Sequence, residues 1–335
     1  MKRCVAGATG GIVLLLALFH PALAAEKEQT FLAITTGGRK STAYQIGLDL
    51  KDLSKGYNLH LAACPSKGSV ENIFAVSQRP GNHLGIVQTD VLAFVSKFNA
   101  DPQLARIEKT VRWVYPLYRQ EVHLLASDIV SHFSDLSGKR VGIGPPESGS
   151  YLTSRLLFEI ADVTPQQLFI LDDARALAAL KAGTLDAMLV IDGMPVKRLV
   201  SGIQPADRLH LVPITHKGIR SFYPAARIPA GTYAWQTADV ETVSVGTVLV
   251  AYNFHDYHCD AIGELAYLIR ENLSWLKANG HPKWRTVNLD ADVQGWRPYD
   301  CVTGYIPPVD LRANQSLRAN PSNPVAKAIQ TVFRP

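Results

Sequence analysis

Cysteine is scarce: four residues in 335, with no Cys-x-x-Cys pair. A zinc knuckle and a thioredoxin-like redox centre are therefore excluded. Beyond the N-terminus no apolar run approaches the roughly 18 residues of a membrane span, which excludes a polytopic membrane protein. There is no Gly-Lys-Ser/Thr phosphate loop, no complete dinucleotide-binding glycine pattern and no Gly-x-Ser-x-Gly elbow. Nucleotide-dependent chemistry, a dehydrogenase and an esterase thus have little support. Gly and Pro number only 24 and 20, so collagen-like and low-complexity chains are excluded. What is present is a hydrophobic content of 47% against 19% charged residues. That composition builds a core, and about 150 residues per domain gives roughly two units.

Met1, Lys2 and Arg3 precede the apolar run Ile12–Phe19, then the small-residue site Ala22-Leu23-Ala24 and the charged Glu26-Lys27-Glu28. That order is a cleaved secretory signal over residues 1–25, with a retained anchor as the alternative. Cys4 precedes the apolar run and is not placed for lipid attachment. Loss of Lys2 and Arg3 takes the net charge from +5 to +3, which gives no support to a nucleic-acid partner. Three cysteines remain in the exported chain. Either Cys259 and Cys301 pair in an oxidising compartment or all three are buried thiols; spacing leaves both open.

Apolar runs at Phe31–Thr35, Leu59–Ala63 and Leu84–Val87 read as strands. Helical spacing follows each, from Ala43 to Leu53 with Gly56 as its stop, from Ser69 as N-cap, and from Val91 to Val95. Strand and helix alternate, which implies parallel strands and an α/β layer fold. Two strands, Val111–Tyr115 and Val122–Ala126, come next. A second α/β series runs through a strand at Arg140–Gly144, helices at Tyr151–Ile160 and Ala174–Lys181, and a strand at Leu185–Ile191. Ile228–Tyr233 reads as a return crossing, Thr247–Ala251 as a strand and Asp260–Lys277 as one long amphipathic helix. The tail beyond Pro307 reads as a surface wrap. Two similar halves crossed twice imply two lobes and a hinge. Residues 26–118 with 235–335 are expected to form one lobe and residues 119–234 the other.

Several turns carry a resemblance when taken in order. Thr35-Thr36-Gly37-Gly38 with Tyr44 and Gly47, Gly68-Ser69-Val70-Glu71-Asn72-Ile73, Gly85-Ile86-Val87-Gln88-Thr89-Asp90, Tyr115–Leu124, Leu136–Ser150 and Ile228–Tyr233 resemble the blocks of the TAXI solute-binding proteins. Those are extracytoplasmic receptors of TRAP transporters. The ordered blocks extend over about 200 residues. The stretch from Leu276 to Pro335 matches no pattern of that family. The resemblance implies a type II periplasmic-binding-protein-like fold, two α/β lobes joined by a hinge with a central ligand cleft. It further implies a periplasmic receptor, with no catalytic activity or cofactor, that captures a small organic anion. The ligand class is a glutamate-like amino acid or a 2-oxoglutarate-like dicarboxylate, and the partner is a TRAP-type membrane permease. The alternatives are a ligand-loaded partner of a membrane signalling receptor and, on less support, an exported enzyme.

In open α/β sheets ligands bind beyond the carboxyl ends of the strands, where helix N-termini offer N–H groups to anions. The expected ligand residues are therefore Thr36, Gly37, Gly38, Arg39, Lys40, Thr42 and Tyr44 in the first turn, Ser69 and Asn72 in the second, and Gln88 in the third. Tyr118 in the crossing and Ser148, Gly149 and Ser150 in the second lobe complete the set. Arg39 and Lys40 stand where the family has small residues, so they make either a second carboxylate contact or a solvated pair. His255, His258 and Cys259 share one helical face, but Asp256 and the helix that follows make this a helix start and no metal site is assigned.

Overall fold

The computed structural model describes residues 30–57 and 59–307. The segment read as a secretory signal and the tail read as a surface wrap, beyond Pro307, lie outside the described residues. Strand β1 (Thr30–Thr35) turns through Thr36-Gly37-Gly38 into α1 (Thr42–Ser54). Ser41 caps α1 by accepting the Tyr44 N–H, and Ile46, Leu50 and Leu53 bury its inner face. Next come β2 (Leu59–Cys64), α2 (Ser69–Gln78), β3 (Leu84–Gln88) and α3 (Thr89–Lys97). β1 pairs in parallel with both β2 and β3. Ser69 is not the N-cap of α2: Gly68 holds that place, and the Ser69 hydroxyl accepts the Gln88 N–H instead. Helix α4 (Pro102–Thr110), which the sequence reading lacked, starts at an Asp101 cap followed by Pro102 and buries only Ile107.

The two strands expected between Val111 and Ala126 are one, β4 (Val111–Ala126). Pro116 interrupts its ladder without ending it, because it lies beside a shift of register against the neighbouring strand. The second series is β5 (Arg140–Gly142), α5 (Gly149–Ala161), β6 (Gln167–Phe169), α6 (Asp173–Lys181) and β7 (Ala187–Asp192). Ser148 caps α5 and Asp172 caps α6. Short elements follow: α7 (Lys197–Gly202), β8 (His210–Leu211), α8 (Lys217–Phe222) and β9 (Ala225–Ile228). The chain returns not at 228–233 but on the long β10 (Val240–Tyr252). β10 runs antiparallel between β3 and β4, in the order β2-β1-β3-β10-β4-β7-β5-β6. The single helix expected over 260–277 is two, α9 (Tyr257–Glu271) and α10 (Leu273–Asn279). They divide at Asn272, whose carboxamide donates back to the Leu268 carbonyl and so competes with helix continuation.

Among the described residues the buried apolar side chains form four clusters, and two of them mark the two lobes. Leu32, Ile34, Leu50, Tyr118, Leu249 and Trp284 belong to one; Val122, Leu124, Val141, Ile191, Val243 and Val245 belong to the other. β4 thus changes core between Tyr118 and Val122. β10 likewise changes core, between Val245 and Leu249, so a single strand threads both halves of the sheet. Described residues near the C-terminus pack into the first of these cores: Trp284 is fully buried and its indole N–H donates to Asp49 at 2.8 Å. Cys259 and Cys301 form a disulfide with their Cα atoms 5.4 Å apart, and Cys64 is free.

Candidate ligand cleft

A cleft of about 280 Å³ lies between the lobes, at the ends of β1, β2 and β3 on one side and of β5 and β7 on the other. Its chemistry is dominated by donors. The hydroxyl oxygens of Ser41, Ser66, Ser69 and Ser150 each accept a backbone N–H, from Tyr44, Gly68, Gln88 and Ile191 respectively, at 3.2–3.3 Å. Each therefore keeps its own O–H proton uncommitted among the described residues. Ser69 and Val70 open α2, and Gly149 and Ser150 open α5; none of these four N–H groups has an acceptor among the described residues. The two helix starts also abut: a Cβ at Gly68, whose φ is +132°, would lie 3.2 Å from the Ser148 Cα. Two positive helix ends from different lobes converge on one space.

The charges are mixed. Lys40, Lys67 and Arg198 line the cleft together with Asp172, Asp173 and Asp192. Arg198 is 3.5 Å from Asp173. Burial raises Asp173, and Arg198 opposes that shift. Asp192 is 8% exposed, and burial pushes its carboxyl up to about 7 against the pull of the Gly193 and Thr42 N–H groups.

Of the expected first-lobe residues, Thr36, Gly37, Gly38, Lys40, Ser69 and Gln88 line the cleft; of the second-lobe residues, Ser148, Gly149 and Ser150 do. The other five lie elsewhere for identifiable reasons. Arg39 turns back to Tyr44, with Nη1 3.4 Å from the hydroxyl and the guanidinium 6.0 Å from the ring centre. Of the two cations, Lys40 alone reaches the cleft. Thr42 is a lobe-to-lobe contact: its N–H points at both Asp192 oxygens at 3.2 Å and its hydroxyl donates to the Gly193 carbonyl at 2.8 Å. Asn72 is fully buried and donates to the Thr36 and Ile86 carbonyls, so it ties the ends of β1 and β3. Tyr118 is buried in the first core and accepts from Gln120. Sequence reasoning missed Ser41, Ser66, Lys67, Asp173, Asp192 and Arg198. The turn holding Ser66 and Lys67 was legible as a strand end, but nothing local distinguishes Asp192 from any other strand terminus.

The lobes touch at several points around the cleft. Lys67 pairs with Glu147 at 2.7 Å, and the Glu71 N–H donates to the Glu147 carbonyl at 3.0 Å. Lys283 reaches Glu121, on the crossing strand, at 2.5 and 2.7 Å, with both side chains 6% exposed. The Met194 N–H donates to the same carboxylate. His258 pairs with Asp256 and stacks on His83, while Cys259 is consumed by its disulfide, so their shared helix face is not a ligand set. Among the described residues no group of three or more His, Cys, Asp or Glu side chains is arranged to hold a metal ion.

Two α/β lobes, a sheet threaded twice between them and a polar cleft at the strand ends constitute a type II periplasmic-binding-protein fold. A solved structure of a periplasmic transporter shares this fold, at 12% identity over 75% of this chain and 87% of that one, with a TM-score of 0.51. The family is explicit in the sequence: residues 34–297 match the NMT1-like family, and the chain belongs to it. Other similar structures include an ancestral arginine-binding protein bound to arginine, at 12% identity over 74% of this chain and 95% of that one, TM-score 0.46. Another is the periplasmic sulfonate-binding protein SsuA from Methylobacillus flagellatus KT, at 11% identity over 89% and 88%, TM-score 0.45.

Proposed function

We propose that this protein is an exported, non-enzymatic receptor that captures a small organic anion between its lobes and delivers it to a membrane permease. The observation that carries this reading is the convergence of uncommitted donors. Hydroxyl protons of Ser41, Ser66, Ser69 and Ser150 and the N–H groups of Ser69, Gly149 and Ser150 all border one cleft. An acceptor-rich ligand such as a carboxylate satisfies them and bridges two helix ends that otherwise repel. A volume of about 280 Å³ suits a ligand the size of a glutamate-like amino acid or a 2-oxoglutarate-like dicarboxylate. The ordered turn motifs favour a TRAP-type permease as the partner and the periplasm as the compartment. On this reading the lobes are 30–118 with the chain beyond Val245, and the stretch between, with β4 and β10 as the hinge. Lobe closure excludes water and presents one shape to the permease.

The test is a thermal-shift screen of the signal-free chain, unfolded and refolded to remove any carried ligand, against amino acids and mono- and dicarboxylates. A ligand at 100 times its Kd stabilises by about 2.7 kcal/mol, or a few degrees for a chain of this size. A selective shift with one acid supports the reading. A panel that shifts only with cationic or neutral solutes removes the anion assignment.

A further inference from the structure

Asp90 is a half-buried residue with a solvent-shielded Oδ1, and it does not line the cleft. It sits in the first turn of α3, on the first lobe. Its Oδ2 accepts two hydroxyls from the second lobe, Thr153 Oγ1 at 2.6 Å and Tyr223 Oη at 3.1 Å. Thr153 lies in α5 and is fully buried; Tyr223 directly follows α8 and is 5% exposed. Oδ1 is buried without a partner, and among the described residues no Lys, Arg or His pairs with Asp90. The titratable group facing it is Tyr223, whose hydroxyl is pushed far above its usual range and so remains a donor. Among the described residues no charged side chain from α4, β3, β10 or α5, the elements packed on α3, forms an ion pair or hydrogen bond with Asp90.

A carboxylate in this place has no counter-ion among the described residues; the Asp90 and Val91 N–H groups offset its burial only in part, and Oδ1 makes no hydrogen bond. Separating the lobes returns it to water; closing them buries it. The neutral acid keeps both hydroxyl bonds without burying a charge. We propose that Asp90 is a proton-operated latch between the lobes: in its neutral form it clasps Thr153 and Tyr223 across the interface, and its ionisation favours separation. The latch rests on the receptor reading to the extent that lobe closure is what retains ligand. Burial raises the Asp90 carboxyl above its ordinary value. Closure therefore takes up a proton, is favoured fully below the ordinary carboxylate range, and weakens as pH rises through the raised value.

The test is small-angle scattering on the ligand-free, signal-free chain from pH 4.5 to 8.5, for the wild type, Asp90→Asn and the double variant Thr153→Val, Tyr223→Phe. The wild type is expected to expand as pH rises. Asp90→Asn accepts both hydroxyls without a charge, so it is expected to lose most of that pH dependence and keep only the part carried by Asp192. The double variant, whose fold is checked by its melting curve, keeps the charge but not the donors and is expected to be expanded at every pH. A flat wild-type profile overturns the latch, as does an Asp90→Asn profile that overlays the wild type. No ligand is used, so failure here leaves the receptor reading standing, and a failed ligand screen leaves the latch standing.

Discussion

Gly149, at the start of α5, rests directly on the carboxamide of Gln88, at the end of β3: a Cβ added at position 149 would overlap the Gln88 side chain. Gln88 is itself fixed, because its Nε2 donates to Gln120 Oε1 at 2.8 Å and its backbone N–H donates to Ser69. The contact joins the two lobes at the cleft, so a side chain there acts on closure rather than on either core.

Gly149→Ala is therefore expected to leave each lobe folded and to weaken ligand capture. Overpacking a fixed contact costs about 1–3 kcal/mol, roughly a tenfold to hundredfold loss of affinity. Calorimetric titration with whichever acid the screen identifies measures it. Unchanged affinity would mean that the bound state is more open than this structure.

Asp192 sets a pH dependence of stability. Its carboxyl stands at about 7 in the folded chain against an ordinary 3.8. Folding takes up a proton here, so the contribution is complete below about pH 4 and is lost as pH rises to about 7. Asp192→Asn keeps an oxygen for the Thr42 and Gly193 N–H groups. It should raise the melting temperature near pH 8 relative to the wild type, with the difference shrinking toward pH 4. A difference that does not change with pH rejects the assignment.

The buried pair of Lys283 and Glu121 is expected to be costly to break. Lys283→Met leaves Glu121 buried with only the Met194 N–H, and about 3–5 kcal/mol of stability should be lost. The double variant Lys283→Met, Glu121→Gln should recover much of it. Denaturant melts of the three proteins decide the matter, and additive losses would show that the two side chains do not act as a pair.

The Cys259–Cys301 bridge closes a loop with a sequence separation of 42. Cys301→Ser should lower stability by about 2–4 kcal/mol, chiefly by freeing the unfolded chain. The melting temperature of the wild type with and without reductant, beside that of the variant, checks this. A reductant effect that persists undiminished in the variant would reject the bridge as its source.

The strands and helices of the first α/β series were legible because their signals are local. Ile46, Leu50 and Leu53 recur at helical spacing, and glycines end the strands they follow. The cleft turns at Thr36, Ser69, Gln88 and Ser148 could be placed for the same reason: strand ends and helix starts are written in consecutive residues. Thr42 and Asp192, by contrast, meet across 150 positions, and no local pattern records such a pairing. β4 was read as two strands because Pro116 is a breaker by itself, and only pairing with β10 explains how it is tolerated. Helix α4 was missed because a single buried side chain, Ile107, gives almost no apolar stripe to read.

β10 has one further consequence, for the order of assembly. It lies between β3 and β4, yet it is made last of the strands. A chain emerging from its N-terminus thus exposes β3 along its outer edge and finds no mate for it until residues 240–252 arrive. The second lobe closes its β5, β6 and β7 pairings much earlier. The half that begins the sequence is the half completed last, and a growing chain stays unfinished, with an unpaired edge, for most of its length.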